Sequence, residues 1–110
     1  MRLVERYASV IELRPDKAAA YRELHLDPWP EVLASLKRAH VSNYSIFVRD
    51  GFLFSYLEYE GDDFAADMKH VADDPDTQRW WALTDPCQRR LPTAAPGEWW
   101  APAEELFHLD

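Results

Sequence analysis

Cysteine is almost absent from this chain of 110 residues, with Cys87 as the single thiol. One cysteine cannot form an intrachain disulfide or supply a cysteine zinc cage, so neither feature stabilises the fold. Glycine is also rare, and the three glycines form no phosphate-cradling loop, nucleophile elbow or dinucleotide fingerprint. We therefore expect a domain that folds on its own apolar core in a reducing compartment.

Basic residues are few as well, because 12 Lys and Arg face 20 Asp and Glu and leave a net charge of -8. This sign opposes the binding of phosphates over a broad surface, so nucleic acid is not an expected partner. No stretch is apolar over the length needed to span a bilayer, and no secretory signal is evident in the first residues. We expect a cytoplasmic protein without a membrane partner.

The residues that are abundant favour a folded globular protein. Apolar residues make up 47% of the chain and aromatic residues 14%, values that exclude disorder. A length of 110 residues is enough for one apolar core and gives no reason to expect a second one. We predict a single domain spanning residues 1–110.

Hydrophobic periodicity and turn residues predict an alternating order of strands and helices. Asp50-Gly51 lies between two β-rich segments and predicts a tight hairpin. The predicted strands are residues 4–13, 41–49, 52–60 and 105–109; the predicted helices are 16–25, 27–38 with Asp27 as cap, 63–72 and 75–86; residues 91–102 are predicted to be irregular. The order β-α-β-β-α-β is typical of the α+β class, in the form of the ferredoxin-like split βαβ sandwich.

The third predicted strand carries apolar side chains on both faces. Phe52, Phe54 and Tyr56 alternate with Leu53 and Leu57. In this fold the helices cover only one face of the sheet, so the other face needs a second cover. Self-association through the helix-free face is the simplest cover, and we predict a homodimer with its two sheets packed together.

A row of ring-bearing side chains is the most informative local pattern. Tyr21, His25 and Trp29 follow one another at four-residue intervals, which on a helix places them on one face, one turn apart. His25 lies at the predicted helix end, where unpaired carbonyls stabilise an imidazolium, so it is a candidate proton donor. The alternatives are a histidine that only caps the helix, and aromatic residues that belong to the core.

Three further segments add candidates. Tyr44, on the predicted second strand, would direct its hydroxyl towards the helices, whereas strict alternation directs Asn43 to the other face, for a strand-edge or turn hydrogen bond. Trp80 and Trp81 diverge by about 100° on a helix, so we expect one to pack and the other to line a cavity. An indole face suits a sugar ring. Asp85, one turn later, would bind a sugar hydroxyl or cap the following turn.

The remaining titratable residues predict no metal site. His40, His70 and His108 lack the mutual spacing of a zinc set. The aspartates between residues 62 and 76 lack the glycine and terminal glutamate of a calcium loop. We expect these aspartates to lie at solvated helix ends and to cap them.

The ordered set of motifs resembles the L-rhamnose mutarotase family over nearly the whole chain. The set comprises Tyr21-x3-His25-x3-Trp29-Pro30-Glu31, Asn43-Tyr44, Trp80-Trp81-x3-Asp85 and Leu106-Phe107-His108-Leu109. The resemblance implies the dimeric ferredoxin-like α/β barrel and a cofactor-free interconversion of the α and β anomers of a 6-deoxy sugar such as L-rhamnose. It also implies His25 as the general acid, with Tyr21, Tyr44, Trp80 and Trp81 in contact with the monosaccharide. Trp29 and Asp85 are further candidate contacts.

Residues 86–102 depart from the family pattern, since they contain Arg89-Arg90 and Trp99-Trp100 directly after the helix of the expected pocket. The preferred sugar is therefore open, and L-fucose is an alternative within the same chemistry. A non-catalytic protein that binds a small ligand and a cofactor-independent monooxygenase on the same barrel are alternatives from other classes. The sequence does not identify the general base.

Overall fold

The computed structural model describes residues 3–110, and its five strands form one antiparallel sheet. The strands are β1 (Glu5–Leu13), β2 (Val41–Arg49), β3 (Phe52–Tyr59), β4 (Gln88–Arg89) and β5 (Ala101–Ala103). They are ordered β2-β3-β1-β4, and β5 also pairs with β1. Because β4 pairs with the end of β1 and β5 with its middle, the two short strands share the fourth position of a ferredoxin-like sheet.

Four helices and two short 3-10 turns connect the strands. They are the turn Pro15–Lys17, α1 (Ala18–Leu24), α2 (Pro30–Arg38), α3 (Phe64–Asp73), α4 (Pro75–Thr84) and the turn Asp85–Cys87. As predicted, aspartates cap helices: the Asp63 carboxylate accepts from the first turn of α3, and Asp74 does the same for α4. None of the helices within residues 3–110 has the length and apolar character needed to cross a lipid bilayer.

The helices cover one face of the sheet, which we call the covered face, and the core lies there. Ile11 and Leu13 of β1 and Leu53 of β3 are buried in one cluster with Tyr21 of α1. A second buried cluster joins Val41 of β2 to α3. The predicted ferredoxin-like α+β arrangement is therefore confirmed, because one apolar face of an antiparallel sheet packs against the helices.

The opposite face of the same strands, which we call the open face, is also apolar. Phe47, Phe52 and Phe54 keep 60%, 36% and 40% of their surface accessible. Phe47 of β2 lies directly opposite Phe54 of β3, so the phenyl rings form a continuous patch across the hairpin. The apolar residues on both sides of β3 thus lie as their alternation predicts.

The β2–β3 hairpin contains a regular turn and an irregular strand. Asp50 and Gly51 both adopt positive φ angles, of 53 and 78°, as a type I′ turn requires, so the predicted tight turn is confirmed. A register shift lies between Ser42, which pairs with Glu58, and Ser45, which pairs with Tyr56. A bulge therefore adds one residue to β2 at this point. Asn43 does make the expected strand-edge bond, since its Nδ2 donates to Glu58 Oε1 at 2.7 Å.

Three predictions about the elements are wrong. Residues 105–109 form no strand, because β4 and β5 already occupy the edge of β1. Residues 91–102 were predicted to be irregular, but β5 includes Pro102, which lies opposite Ser9. An edge strand tolerates proline because its outer side forms no backbone hydrogen bonds with another strand. Asp27 does not cap α2: Trp29 is the residue before the helix, and Pro30 occupies its first position.

Candidate functional site

A cavity of about 560 Å³ lies between the covered face and helices α2, α3 and α4. This volume is within the range typical of small-ligand sites. The lining is mostly apolar and consists of His25, Pro28, Val32, Leu33, Leu36, Lys37, Val41, Ser42, Asn43, Tyr44, Ile46, Leu57, Met68, Val71, Thr77, Trp80 and Trp81. Four of the predicted site residues, from three different segments, therefore meet at one cavity: His25, Tyr44, Trp80 and Trp81.

His25 lies where α1 ends, and its backbone fixes its position. Its amide donates to the carbonyls of Tyr21 and Arg22, as in the last turn of a helix. Its ring Nδ1 lies 2.9 Å from the Tyr21 carbonyl oxygen. A carbonyl can only accept a hydrogen bond, so Nδ1 carries a hydrogen in the neutral ring. The other nitrogen, Nε2, then has the lone pair that can take up and return a proton.

Aromatic rings surround this imidazole. The ring centroid of Tyr21 lies 4.4 Å from that of His25, and the Trp80 ring contacts His25 edge-on at 5.4 Å. Trp29 in turn contacts Trp80 edge-on at 5.3 Å. Such contacts hold each ring in one orientation. The three side chains predicted to share one helix face thus form one continuous contact group through Trp80.

The two adjacent tryptophans of α4 have different environments. Trp80 is buried, with 7% of its surface accessible, whereas Trp81 keeps 39% accessible. Both line the cavity. Trp80 supports the imidazole from the inside, and Trp81 offers an indole face that solvent and a ligand can reach. We expected one tryptophan to pack and the other to line a cavity; in the structure both line it, and they differ in their exposure.

Two tyrosines belong to the surroundings of His25: the Tyr21 ring contacts the imidazole, and Tyr44 lines the same cavity. Tyr21 is buried, and this burial raises its pKa to about 12, although the hydrogen bond from Gln88 acts in the opposite direction. Desolvation around the Tyr44 hydroxyl also raises its pKa, even though 41% of the Tyr44 surface is accessible. Both phenols therefore remain neutral at physiological pH, where they can donate as well as accept hydrogen bonds.

Three predicted site residues lie outside the lining of the cavity: Tyr21, Trp29 and Asp85. Tyr21 and Trp29 contact the lining rings His25 and Trp80. Asp85 follows the last residue of α4, and burial raises its pKa. Its negative charge is close enough to raise the pKa of Tyr21. These three side chains therefore surround the lining residues, and direct contact with a ligand stays a prediction for each.

Sequence reasoning missed Gln88. This residue is buried, with 5% of its surface accessible, and bonds to Tyr21 and to Trp99. A single glutamine at the start of a two-residue strand has no periodic or motif signal, so no pattern in the sequence distinguishes it. The sequence shows Trp99 as part of a second tryptophan pair, but it does not show that Gln88 accepts the hydrogen bond of the Trp99 indole.

A second depression, of about 530 Å³, lies beside Arg89 and Arg90, away from all the predicted site residues. The Arg89 guanidinium pairs with Glu12, and that of Arg90 donates to the carbonyls of Ala94 and Ala95. Both cations therefore already have partners within the chain. Residues 3–110 also include no cluster of three or more His, Cys, Asp or Glu side chains that could hold a metal ion.

Comparison with known proteins identifies the family. The family model described as L-rhamnose mutarotase matches residues 6–109. An L-fucose mutarotase of Xanthomonas campestris is 38% identical, with 96% of this chain and 89% of that protein aligned. An L-rhamnose mutarotase of Acidiphilium cryptum is 34% identical over 96% of this chain and 99% of that protein.

A solved structure agrees with these sequence relatives. The crystal structure of an L-rhamnose mutarotase from Formosa agariphila superposes with a TM-score of 0.75 at 30% identity, covering 96% of this chain and 99% of that one. The match extends across the strands, the helices and the segment after α4 that departs from the expected pattern. The chain therefore belongs to the L-rhamnose mutarotase family.

Proposed function

We propose that this protein is an isomerase, a mutarotase that interconverts the α and β anomers of a 6-deoxy-L-sugar, with L-rhamnose as the first candidate. One observation supports this proposal above the others. An imidazole whose Nδ1 is held by a backbone carbonyl shares a cavity with a tyrosine hydroxyl and two indoles from the distant half of the chain. Family membership supports the same reaction class.

The proposed reaction needs only proton transfers. Protonated His25 donates from Nε2 to the ring oxygen of the sugar while the anomeric hydroxyl loses its proton, so the bond between C1 and the ring oxygen breaks and an aldehyde forms. Rotation about the bond between C1 and C2 followed by closure gives the other anomer, and the protons return. Because the cavity lining within residues 3–110 contains no carboxylate, the proton of the anomeric hydroxyl passes to water in this mechanism.

The environment of His25 supports the role of general acid. Its Nδ1 keeps its hydrogen bond to the Tyr21 carbonyl in both protonation states, so only Nε2 changes during the reaction. A positioned acid contributes about 10²- to 10⁴-fold to such a step. That factor is adequate for ring opening, which already proceeds slowly in water.

The cavity also suits a neutral sugar. Lys37 is the only permanently charged side chain among the lining residues of the described chain, and most of the wall is apolar. Trp81 offers its indole face to the C–H groups of a pyranose ring, and Tyr44 offers a hydroxyl. The 6-methyl group of a deoxy sugar fits an apolar wall better than a hydroxymethyl group, because no hydroxyl is left unpaired.

L-Fucose is the second candidate substrate, because the Xanthomonas campestris relative named L-fucose mutarotase is 38% identical to this chain. Saturation-transfer NMR between the anomeric protons of L-rhamnose, L-fucose and their 2-epimers distinguishes the two. We expect the protein to accelerate exchange for one or more of these 6-deoxy sugars. Binding without faster exchange would contradict the enzymatic proposal and support the non-catalytic binding protein.

We also propose that two copies associate through the open face as a homodimer. Phe47, Phe52 and Phe54 are accessible there on neighbouring strands, and a continuous apolar patch of this kind favours an isologous contact. Residues 1–110 would then act as one domain of each subunit. We place the protein in the cytoplasm, since a single buried cysteine suits a reducing compartment.

A further inference from the structure

Gln88 joins three parts of the molecule through one buried amide. It is the first residue of β4, and 5% of its surface is accessible. Its Nε2 lies 3.2 Å from the hydroxyl of Tyr21 in α1. Its Oε1 lies 2.8 Å from the indole Nε1 of Trp99, in the segment before β5. The amide therefore connects the residue beside His25 with the segment that departs from the family pattern.

The chemistry of the indole determines the direction of both hydrogen bonds. The Nε1 of Trp99 can only donate, so the group of Gln88 that faces it must be the carbonyl oxygen. The amide nitrogen of Gln88 then faces Tyr21, and because this nitrogen can only donate, the phenol oxygen must accept. The hydrogen of the Tyr21 hydroxyl is not used in this contact.

We propose that Gln88 is a positioning residue for the mutarotase site, and that with Trp99 it fixes the Tyr21 phenol as an acceptor from Gln88 whose own hydrogen is free. The proposal rests on the proposed function. Tyr44, Cys87 and Asp85 lie close enough to Tyr21 to raise the pKa of its hydroxyl.

The position of the imidazole depends on Tyr21 in two ways. The His25 Nδ1 bonds to the Tyr21 carbonyl, and the two rings lie in contact, with centroids 4.4 Å apart. A Tyr21 ring that moves or reverses its hydrogen bond therefore disturbs the general acid without any change in the lining of the cavity. Trp99 acts through Gln88, which gives the segment after α4 a role in the reaction.

Gln88→Glu tests the direction of the hydrogen bonds. The ionised carboxylate can only accept, so Tyr21 must use its own hydrogen on it, and we expect kcat to fall about tenfold with little change in KM. The protonated carboxyl has one acceptor and one donor and restores the original pattern. A buried carboxyl ionises above the ordinary glutamate value of about 4.3, so kcat relative to the unaltered protein should recover as the pH falls towards 5.

Gln78→Glu is the matched control, because Gln78 lies exposed on α4 and its side chain donates to the Ala72 carbonyl, away from Tyr21. Its activity relative to the unaltered protein should not depend on pH. The titratable groups around Tyr21 are His25, Tyr44, Asp85 and Cys87, and every variant contains them. A ratio for Gln88→Glu that is close to one, or constant between pH 5 and 8, would overturn the proposal.

Trp99→Phe tests the other end of the network and serves if Gln88→Glu does not fold. Without the indole donor the Gln88 amide can rotate by 180°, so we expect a several-fold loss of kcat. Trp100→Phe is the control. It alters a ring that packs on the core and should change kcat little. Equal kcat values for Trp99→Phe and the unaltered protein would also overturn the proposal that Gln88 positions Tyr21.

A readout without sugar separates this proposal from the proposed function. The indole N–H resonance of Trp99 should shift and exchange faster with solvent in Gln88→Leu than in the unaltered protein, because its acceptor is lost. An unchanged resonance would refute the network whatever the activity. Absence of anomeric exchange in the unaltered protein, together with a shifted resonance, would instead refute the function and leave the network in place.

Discussion

The two faces of the sheet are both apolar, but only one is closed within the chain. On the covered face Ile11 and Leu53 keep 0% and 2% of their surface accessible, whereas Phe47 on the open face keeps 60%. The helices do not fill the whole covered face, and the unfilled part is the cavity that contains His25. The open face has accessible phenylalanine side chains instead. The proposed chemistry therefore depends on incomplete packing on one side, and the proposed association on accessible apolar side chains on the other.

The largest expected effect is on the covered face. We expect His25→Ala to lower the rate of anomeric exchange by about 10²- to 10⁴-fold, because the positioned acid is lost. His70→Ala, on the exposed side of α3, is the matched control and should be as active as the unaltered protein. Saturation-transfer NMR measures both. Full activity of His25→Ala would contradict the assigned acid.

The next effect concerns the open face. We expect Phe47→Glu to weaken the proposed dimer about 30-fold or more, because a carboxylate would be buried opposite Phe54 in the middle of the interface. Leu83→Glu changes an exposed leucine of α4, outside this face, and should leave the dimer intact. Sedimentation at micromolar concentration measures the mass. A monomeric mass for the unaltered protein would refute the dimer.

The two tryptophans of α4 should differ in their effects on stability and binding. Trp80→Ala should lower the free energy of unfolding by about 3–5 kcal/mol, since Trp80 is buried against His25 and Trp29. Trp81→Ala should cost about 1 kcal/mol of stability and raise KM about tenfold, because an accessible indole is lost from the cavity. Urea unfolding and exchange rates at several sugar concentrations separate the two. Equal stability losses would contradict the division.

Local signals were sufficient for most of the elements. The φ angles of Asp50 and Gly51 follow from a dipeptide that favours a type I′ turn, and Asp63 and Asp74 cap helices because a short carboxylate reaches the first free amides. Prediction failed where a contact with a distant part of the chain outweighed a local preference. Pro102 lies in a strand because the edge of β1 was available there.

The site shows the same division between local and tertiary causes. The row Tyr21, His25 and Trp29 was visible because helical spacing is a local property, and the Trp80-Trp81 pair was visible by composition. Their contact was an expectation, and the distance of 5.4 Å between the His25 and Trp80 rings depends on how α4 packs. Gln88 could not be found, since its function as a link exists only after three separate segments have come together.

The sequence by itself determined the class of the fold, the two apolar faces of the sheet and the candidate acid, because periodicity, turn chemistry and helix ends depend on neighbouring residues. Tertiary structure alone decided which strands complete the sheet, which indole is buried and which amide donates a hydrogen bond to Tyr21. These outcomes depend on contacts between residues far apart in the chain, such as Tyr21 and Gln88, which are separated by 67 positions, and no local pattern encodes such a contact.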